Sequence, residues 1–534
     1  MTPRPSLRAP VATLFLLSAL LVLGGWFRVS HLGEKLLWHD EIATVHMAAG
    51  YSISEWKAAL YTGEVLDVAD VTRFQRLDRG RSVLDAVQEL ARHDPQHPPT
   101  YYLLAASWVR LVGEGIGRLR MLSVLASLLG LFAMYGLCWE LSMSRRVAWT
   151  GTAALAVSPF FVLYAQEARE YSLWATVILA SNAALLAAIR RAEASPGKIP
   201  AASWAGYGLL TVLSLYTSFS SAAVILGQVL FIILRERGRP NRVSLSAAGT
   251  LAISALGFLP WALNLARNYE TFAVSMRWSK EIVIPTSSLL RILALNLSRP
   301  FIDFWADLET APAWVGVLGA VALGVWAVAA LVREAPTERV LLILCVLILP
   351  TAIHLVPDLL FGGIRSLSTR YLTPSLLMLL VAVAWLLGAP QRRPRVAAGL
   401  AAAVFAVMVA SCWHNARQES VWTKGVSYSL PEVARIINAS DRPLLVGGIE
   451  IHSPGNLLAL SARLDPGTKM QFLRIEDERA YVLADHDGDI FLLGPNVLLR
   501  QRLEEREHVR FELLVEDLFL QLWKAHPAGE PADR

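Results

Sequence analysis

Long apolar runs are the dominant pattern of this sequence, and they recur eleven times along the chain. A bilayer core takes about 20 apolar residues per helix, so each run predicts a membrane-spanning helix. The runs lie near residues 11–30, 118–141, 147–164, 171–190, 202–217, 218–234, 245–264, 312–332, 339–356, 370–388 and 395–412. The pattern therefore predicts a polytopic α-helical membrane protein with about 11 transmembrane helices.

The first run is either a cleaved signal peptide or a permanent anchor. Arg4 and Arg8 precede it, as basic residues do in a signal peptide. A cleavage site needs small residues after the apolar run, whereas Trp26, Phe27 and Arg28 stand there. We therefore expect an uncleaved anchor.

One further apolar segment, 98–112, is short and contains Arg110. If this segment spanned the membrane, nearly all basic loops would lie outside, against the positive-inside rule. If it does not span, six basic loops lie on the side of the amino terminus, and they contain Arg4, Arg8, Arg145, Arg146, Arg190, Arg191, Lys198, Arg235, Arg237, Arg239, Arg242, Arg333, Arg339, Arg392, Arg393 and Arg395. We therefore expect a cytoplasmic amino terminus and an interfacial or re-entrant helix on the outer face.

This topology places three large pieces outside, at 31–117, 265–311 and 413–534. The first piece is amphipathic, which is typical of helices that lie on a membrane surface. The tail alternates helical stretches with β-like apolar runs at 444–446, 470–473, 490–493, 511–515 and 519–523. We predict a transmembrane domain over 1–412 and a small extracytoplasmic α/β domain over 413–534.

Composition agrees with this interpretation. The 534 residues are 54% hydrophobic and 17% charged, and the mean hydropathy is +0.44, whereas soluble proteins are about 25% charged. These values exclude a soluble enzyme, a disordered chain and a disulfide scaffold. The basic residues behind the net charge of +5 lie at membrane boundaries, so the charge does not indicate a nucleic-acid partner.

Asp40 and Glu41 form the first candidate cluster, ten residues past the first span. Adjacent carboxylates just outside a membrane suit a general base or a divalent-metal site. The alternative is a solvated loop start or a helix cap. The sequence leaves both open.

A second cluster, at 164–171, reads Tyr-Ala-Gln-Glu-Ala-Arg-Glu-Tyr between two apolar runs. Ionisable residues at membrane depth are costly, and by default they mark function. Glu167 and Arg169 therefore face a cavity, or they form a structural ion pair across a tight outer turn.

Two further groups complete the candidates. His97 opens the 98–112 helix at i, i+4 spacing from His93, which suits a weak metal site or a structural pair. Arg370 and Tyr371 lie at the outer mouth of the tenth span. An arginine there either anchors the helix to lipid headgroups or binds a lipid phosphate with two nitrogens.

Together these motifs resemble those of the GT-C glycosyltransferases, most of all glycosyltransferase family 39. That group includes the dolichyl-phosphate-mannose protein mannosyltransferases and the bacterial lipid A aminoarabinose and lipopolysaccharide-core galacturonosyl transferases. The matching motifs are Asp40-Glu41, His97-Pro-Pro-Thr-Tyr-Tyr102 with a glycine-containing stretch that ends at Arg120, the 164–171 turn, and Arg370-Tyr-Leu-Thr-Pro374. The resemblance is strong over 1–240 and looser to 412. It departs at Ser218, where relatives often have a histidine.

The resemblance implies a GT-C fold in a bacterial plasma membrane. It also implies transfer of one sugar from a polyprenyl-phosphate donor to a glycolipid, polysaccharide or protein acceptor on the outer face. The donor is lipid-linked, so no nucleotide-binding domain is needed. The outer loop 265–311 either closes over the lipid headgroup or lies on the surface without a catalytic part.

The resemblance also assigns roles to the candidate residues. Asp40 would deprotonate the acceptor hydroxyl for an inverting attack. Glu41 and Glu167 would orient the acceptor or, with Asp40, hold a divalent cation if one is used. The residues that would bind the lipid phosphate are His97, Arg169, Arg370 and Tyr371.

Three other functions are compatible with a polytopic membrane protein. A transporter or lipid flippase would also carry buried charges, but the sequence has no inverted repeat and its charges cluster at one face. A membrane-anchored assembly protein would act through the tail. A catalytically inactive relative would have lost residues that are all present here.

Overall fold

A computed structural model of the protein describes residues 11–195, 198–304, 310–390, 394–448, 453–474, 483, 486–494 and 497–527. Four basic loop residues named above, Arg4, Arg8, Arg392 and Arg393, lie outside this part of the chain. Chain contacts divide the protein into two units. The first unit comprises Met1–Ser30, Leu90–Tyr101 and Ser123–Arg417, and the second comprises His31–Glu89, Tyr102–Leu122 and Gln418–Arg534.

Helices make up most of the described chain. In sequence order they are α1 (Val11–Val29), α2 (His39–Ala49), α3 (Ile53–Leu60), α4 (Val68–Thr72), α5 (Val83–His93), α6 (Thr100–Val112), α7 (Ile116–Ser142), α8 (Arg145–Ala156), α9 (Pro159–Ala165), α10 (Tyr171–Ala194), α11 (Ala201–Thr217), α12 (Ser221–Arg235), α13 (Arg242–Arg267), α14 (Tyr269–Ser275), α15 (Trp278–Glu281), α16 (Thr286–Ser298), α17 (Ala311–Glu334), α18 (Thr337–Phe361), α19 (Thr373–Gly388), α20 (Pro394–Ala416), α21 (Leu430–Asn438), α22 (Ser453–Ser461) and α23 (Val497–Glu507).

All eleven apolar runs are helical in the structure. Seven apolar helical segments of the described chain are long enough to cross a membrane, and they are α7, α10, α13, α17, α18, α20 and Thr369–Gly388, which contains α19. The pair α8–α9 makes an eighth if it is one broken span, and α1, α11 and α12, with 19, 17 and 15 residues, are not among the seven. Most of the segment 98–112 forms α6, whose 13 residues are too few to cross a bilayer.

The run 147–164 is not the continuous span that its apolar pattern predicts. It forms α8, which ends at Ala156, and α9, which begins at Pro159, with a bend of 58° between them. Proline has no backbone N–H and suits the first turn of a new helix. The break leaves the last carbonyls of α8 without helical donors.

Arg28, at the end of α1, supplies donors at this break. Its side chain is fully buried and donates to the carbonyl oxygens of Leu155, at 3.0 Å, and Ala156. It also donates to the Gly24 carbonyl and to the Ser127 hydroxyl, each at 2.8 Å. A cation at the carboxyl end of α8 also interacts favourably with the helix dipole.

Helix α19 lies at the centre of the first unit. It packs against α8, α17 and α18, and almost all of its residues are buried. Pro374 falls in its first turn, where proline is tolerated. This burial fixes the segment just before α19, which carries Arg370 and Tyr371.

The second unit contains a six-stranded sheet in the order β1-β3-β2-β4-β6-β5. The strands are β1 (Val65–Asp67), β2 (Leu444–Gly447), β3 (Lys469–Phe472), β4 (Ile490–Leu493), β5 (Val509–Glu516) and β6 (Gln521–Pro527). Strands β2, β3 and β4 are parallel, and the outer strands pair antiparallel. The predicted small α/β arrangement of the tail is thus confirmed, with β6 starting two residues later than its apolar run.

Strand β1 was not predicted from the sequence, and it comes from the first outer loop. It has three residues and pairs with β3, Val65 opposite Gln471. The loop also contributes to the core below the sheet, where Leu60 and Val71 join Leu445 and Leu457. The sheet unit therefore combines the tail with part of the first outer loop.

The central strands are buried on both faces, as parallel strands are. Along β2, Leu445 packs in the core shared with the outer loop, while Leu444 and Val446 pack with Leu499 and Leu503 of α23. This alternation follows from the two-residue period of a strand.

We expect Arg28→Met to lower the free energy of unfolding by about 3 kcal/mol or more, because buried carbonyls of α8 lose their donors. Thermal or chemical unfolding of the detergent-solubilised protein measures this change. Arg333→Met is the matched control, since Arg333 is exposed in the last turn of α17. Equal stability of the two variants would contradict the structural role of Arg28.

Candidate functional site

Asp40 and Glu41 lie in the first turn of α2, in the second unit. Trp38 is the N-cap residue, and Glu41 at the third helical position accepts a hydrogen bond from the Trp38 N–H at 3.5 Å. Negative side chains are favourable at a helix N-terminus. Glu41 therefore forms part of the N-terminal cap of α2.

Glu41 is fully buried and is held by two cations. Arg120 donates to both carboxylate oxygens, at 2.8 and 2.7 Å, and Lys424 Nζ lies 3.5 Å from Oε2. Arg120 and Lys424 both also donate to the carbonyl oxygen of Leu36, at 2.6 Å each. The charges of this cluster are thus satisfied within the protein, and Glu41 fixes where α2 begins.

Asp40 has different surroundings although it is the adjacent residue. Its side chain is 17% exposed, and one of its oxygens lies 2.8 Å from His39 Nε2. The His39 backbone N–H donates to the Ser427 hydroxyl at 3.2 Å, which fixes the start of the helix a second time. Asp40 is the carboxylate of the pair that solvent reaches.

The 164–171 motif lies in the first unit, as the turn between α9 and α10, and all its residues are buried. Gln166 Nε2 donates to the carbonyl oxygens of Phe27 and Ser30, at 2.8 and 2.9 Å. The amide thereby satisfies carbonyls at the end of α1. Glu167 follows directly, and the N–H of Arg169 donates to its carbonyl oxygen at 2.8 Å.

Arg169 contacts His97 within the first unit. One guanidinium nitrogen lies 2.9 Å from His97 Nε2, and Arg169 Nε lies 3.3 Å from a Glu170 oxygen. The chain before His97 is held in place by α13 and α14. Trp261 donates to the Pro95 carbonyl at 3.1 Å, and Ser275 donates to Gln96 Oε1 at 2.8 Å.

Arg169 and Arg370 lie over the same aromatic ring. Each guanidinium carbon is 5.9 Å from the centre of the Tyr171 ring, within the range of a cation–π contact. Arg370 is also 5.6 Å from the ring of Tyr371, which in turn stacks on His354 at 5.4 Å. We call Arg169, Arg370, Tyr171 and Tyr371 the arginine–tyrosine cluster.

The outer loop 265–311 is anchored near its end, although 305–309 lie outside the described residues. Arg299 and Asp303 are buried and form an ion pair at 2.7 Å. Asn415 of α20 donates to the other Asp303 oxygen at 3.2 Å, and Ser411 accepts from the Asp303 N–H at 3.1 Å. The ion pair and the contacts with α20 hold this part of the loop in place.

Within the first unit, the predicted residues His97, Arg169, Arg370 and Tyr371 are therefore connected, with Glu167 on the same turn. Sequence reasoning missed the roles of Gln166, Tyr171 and Lys424. Tyr171 is the last residue of the 164–171 motif and could have been included among the candidate residues. No pattern near Lys424 in the sequence indicated its contact with Glu41.

No group of three or more His, Cys, Asp and Glu side chains in the described part of the chain is arranged to hold a metal ion. Both oxygens of Glu41 already accept from Arg120. The pair His93 and His97 belongs to no such group either. The assignment of Asp40, Glu41 and Glu167 to a divalent cation stays a prediction.

This architecture is similar to that of solved structures, although no sequence match was found. No family model and no curated protein matches the sequence. Among solved structures, the chain is similar to ArnT from Cupriavidus metallidurans bound to undecaprenyl phosphate, with a TM-score of 0.54, 12% identity and coverage of 97% of this chain and 98% of ArnT. The apo state of that protein matches at a TM-score of 0.44, with 12% identity over 96% and 98% of the two chains.

The oligosaccharyltransferase of Archaeoglobus fulgidus, in its apo form, matches at a TM-score of 0.49 and 11% identity. That match covers 87% of this chain and 65% of the oligosaccharyltransferase. The similarity to ArnT extends over nearly the whole chain, and it agrees with the fold that the motifs implied. The chain is a polytopic membrane protein with the GT-C fold.

Proposed function

We propose that the protein is an integral-membrane glycosyltransferase that moves one sugar from a polyprenyl-phosphate donor to an acceptor on the outer face of a bacterial plasma membrane. The observation that carries the proposal is the arginine–tyrosine cluster. The amino terminus is cytoplasmic and the tail is extracytoplasmic in this proposal. The acceptor is an envelope lipid, polysaccharide or protein.

The arginine–tyrosine cluster has the chemistry that a lipid phosphate requires. Guanidinium groups bind phosphate with two parallel hydrogen bonds. Arg169 is 3% exposed, and charge interactions are stronger where water is excluded. His97, in contact with Arg169, extends the same group. Similarity to a protein crystallised with undecaprenyl phosphate supports a polyprenyl-phosphate donor.

Asp40 is the general base of the proposed reaction. It removes the proton of the acceptor hydroxyl as the hydroxyl oxygen attacks the anomeric carbon from the face opposite the phosphate. The bond between that carbon and the phosphate oxygen breaks, and the polyprenyl phosphate leaves with the electron pair. Arg169 and Arg370 balance the charge that develops on the leaving group, and the sugar is transferred with inversion.

Glu41 and Glu167 take supporting roles. Glu41, held by Arg120, is a positioning residue that fixes the first turn of α2 and hence Asp40. Glu167, two residues before Arg169, orients the acceptor. No step requires a metal ion, because hydrogen-bond donors and arginines supply the positive charge.

We expect Asp40→Asn to lower turnover by about 10²–10⁴-fold, the usual contribution of a general base, and to leave donor binding intact. Envelope glycans and glycolipids of a deletion strain, complemented with wild type or Asp40→Asn, are compared by mass spectrometry. Asp67→Asn is the control, since Asp67 forms an exposed ion pair with Lys469.

Wild type and Asp67→Asn should restore one sugar mass that Asp40→Asn does not. If Asp40→Asn restores that mass equally, Asp40 is not the base and the transporter or assembly functions become the better explanation.

Tyr171 offers a matched pair of variants. We expect Tyr171→Leu to raise the KM for the lipid-linked donor about threefold to tenfold, because both arginines lose the ring that positions them. Tyr171→Phe keeps the ring and should stay within about twofold of wild type. Steady-state kinetics with an undecaprenyl-phosphate sugar measures both, and equal KM values for the two variants would contradict the shared-ring role.

Chelation tests the metal-free mechanism. EDTA added to the purified protein should leave the rate of sugar transfer unchanged, because arginines supply the positive charge. A loss of rate that Mg²⁺ or Mn²⁺ restores would show that a cation takes part. Addition of EDTA saturated with Ca²⁺ is the control for effects of the chelator itself.

A further inference from the structure

A cavity of about 260 Å³ lies within the second unit. Neither Asp40 nor Glu41 lines it, so it is distinct from the proposed catalytic carboxylates. Most of its wall is apolar and includes Leu37, Val45 and Val109. Its charged lining residues are Lys35, Glu114 and Arg463.

The charged residues of the lining, Lys35, Arg463 and Glu114, carry a net positive charge. Lys35 is 6% exposed, and Arg463 is half-buried, with a hydrogen bond to the Glu34 carbonyl. Burial, together with the positive charge of Arg120, lowers the pKa of Arg463 although Glu419 acts in the opposite direction. Glu114 is exposed, so solvent screens its charge. An anion inside the cavity would therefore be stabilised.

The position of the cavity along the chain points to the membrane boundary. Gly33, a lining residue, follows the end of α1 by four residues. Gly115 and Ile116, also in the lining, lie at the start of α7, which is long enough to cross a membrane. Leu111, just before them, is 80% exposed. Lipid headgroups occupy this level of a bilayer.

We propose that this cavity binds the headgroup of a phospholipid. The phosphate lies against Lys35 and Arg463, and the glycerol and first acyl carbons lie against the apolar wall. Ligand pockets usually measure about 300–1,000 Å³, so this cavity accepts the polar end of the lipid and leaves the acyl chains outside. None of the residues proposed to bind the donor lines this cavity, and its lipid is not a substrate.

The first test uses the purified full-length protein, delipidated in detergent. Native mass spectrometry compares the retention of phosphatidylglycerol, diacylglycerol and inorganic phosphate, each added at the same concentration. Retention of phosphatidylglycerol alone is the expected result. Equal retention of diacylglycerol would indicate an apolar cavity only, and equal retention of free phosphate would indicate an anion site only; either result overturns the proposal.

Variants assign the retained lipid to this cavity. Arg463→Gln and Lys35→Met should each reduce phosphatidylglycerol retention roughly tenfold, since each removes a charge-assisted contact. Val109→Phe should reduce it by filling the cavity without changing charge. Lys469→Met is the control, because Lys469 is an exposed lysine of the same unit in an ion pair with Asp67.

Thermal unfolding first shows which variants are folded, and retention is compared among those. Folded Arg463→Gln or Val109→Phe with wild-type retention would place the lipid elsewhere and overturn the assignment. Because the readout is lipid binding, a failure here is distinguishable from a failure of the proposed transferase reaction.

Discussion

The first unit depends on a reciprocal exchange of hydrogen bonds between α1 and the broken pair α8–α9. Arg28 of α1 donates to the last carbonyls of α8, and Gln166, just past α9, donates back to carbonyls at the end of α1. In apolar surroundings, unsatisfied backbone groups cost several kcal/mol, so neither helix end is stable without the other. The turn that carries Glu167 and Arg169 starts at this exchange.

The second unit contains two neighbouring carboxylates, of which Glu41 is buried in an ion pair and Asp40 is partly exposed. A buried ion pair is costly unless its remaining hydrogen bonds are made. Two nitrogens of Arg120 donate to the Glu41 carboxylate, and one of them also donates to the Leu36 carbonyl oxygen. Adjacent helical residues point about 100° apart, as 3.6 residues per turn requires. Asp40 can therefore reach solvent while Glu41 is enclosed.

The sequence predicted the elements well because most of them are specified locally. All eleven apolar runs are helices, and the five β-like runs of the tail each meet a strand, since hydrophobic length and alternation are properties of neighbouring residues. The break at Pro159 was missed, because an apolar run alone cannot show that Arg28 supplies donors there. Strand β1 was missed because its three residues are specified by pairing with β3.

The residues of the candidate site could likewise be predicted from the sequence only in part. Motif residues such as His97, Arg169 and Arg370 were found by type and spacing, and the structure connects them. The partners that define their roles could not be found in this way. Lys424 lies more than 380 residues from Glu41 along the chain, and no local pattern reports a contact of that separation.

The core below the sheet also sets an order for biogenesis. Its buried residues come from two stretches, Leu36 to Phe74 and Leu430 to Leu522. About 355 residues separate Phe74 from Leu430, and ribosomes add about 5–20 residues per second, so the first stretch waits roughly 20 to 70 s for its partner. During that interval its apolar side chains have no core to enter, and a chaperone or the membrane surface must shield them until the last strands are synthesised.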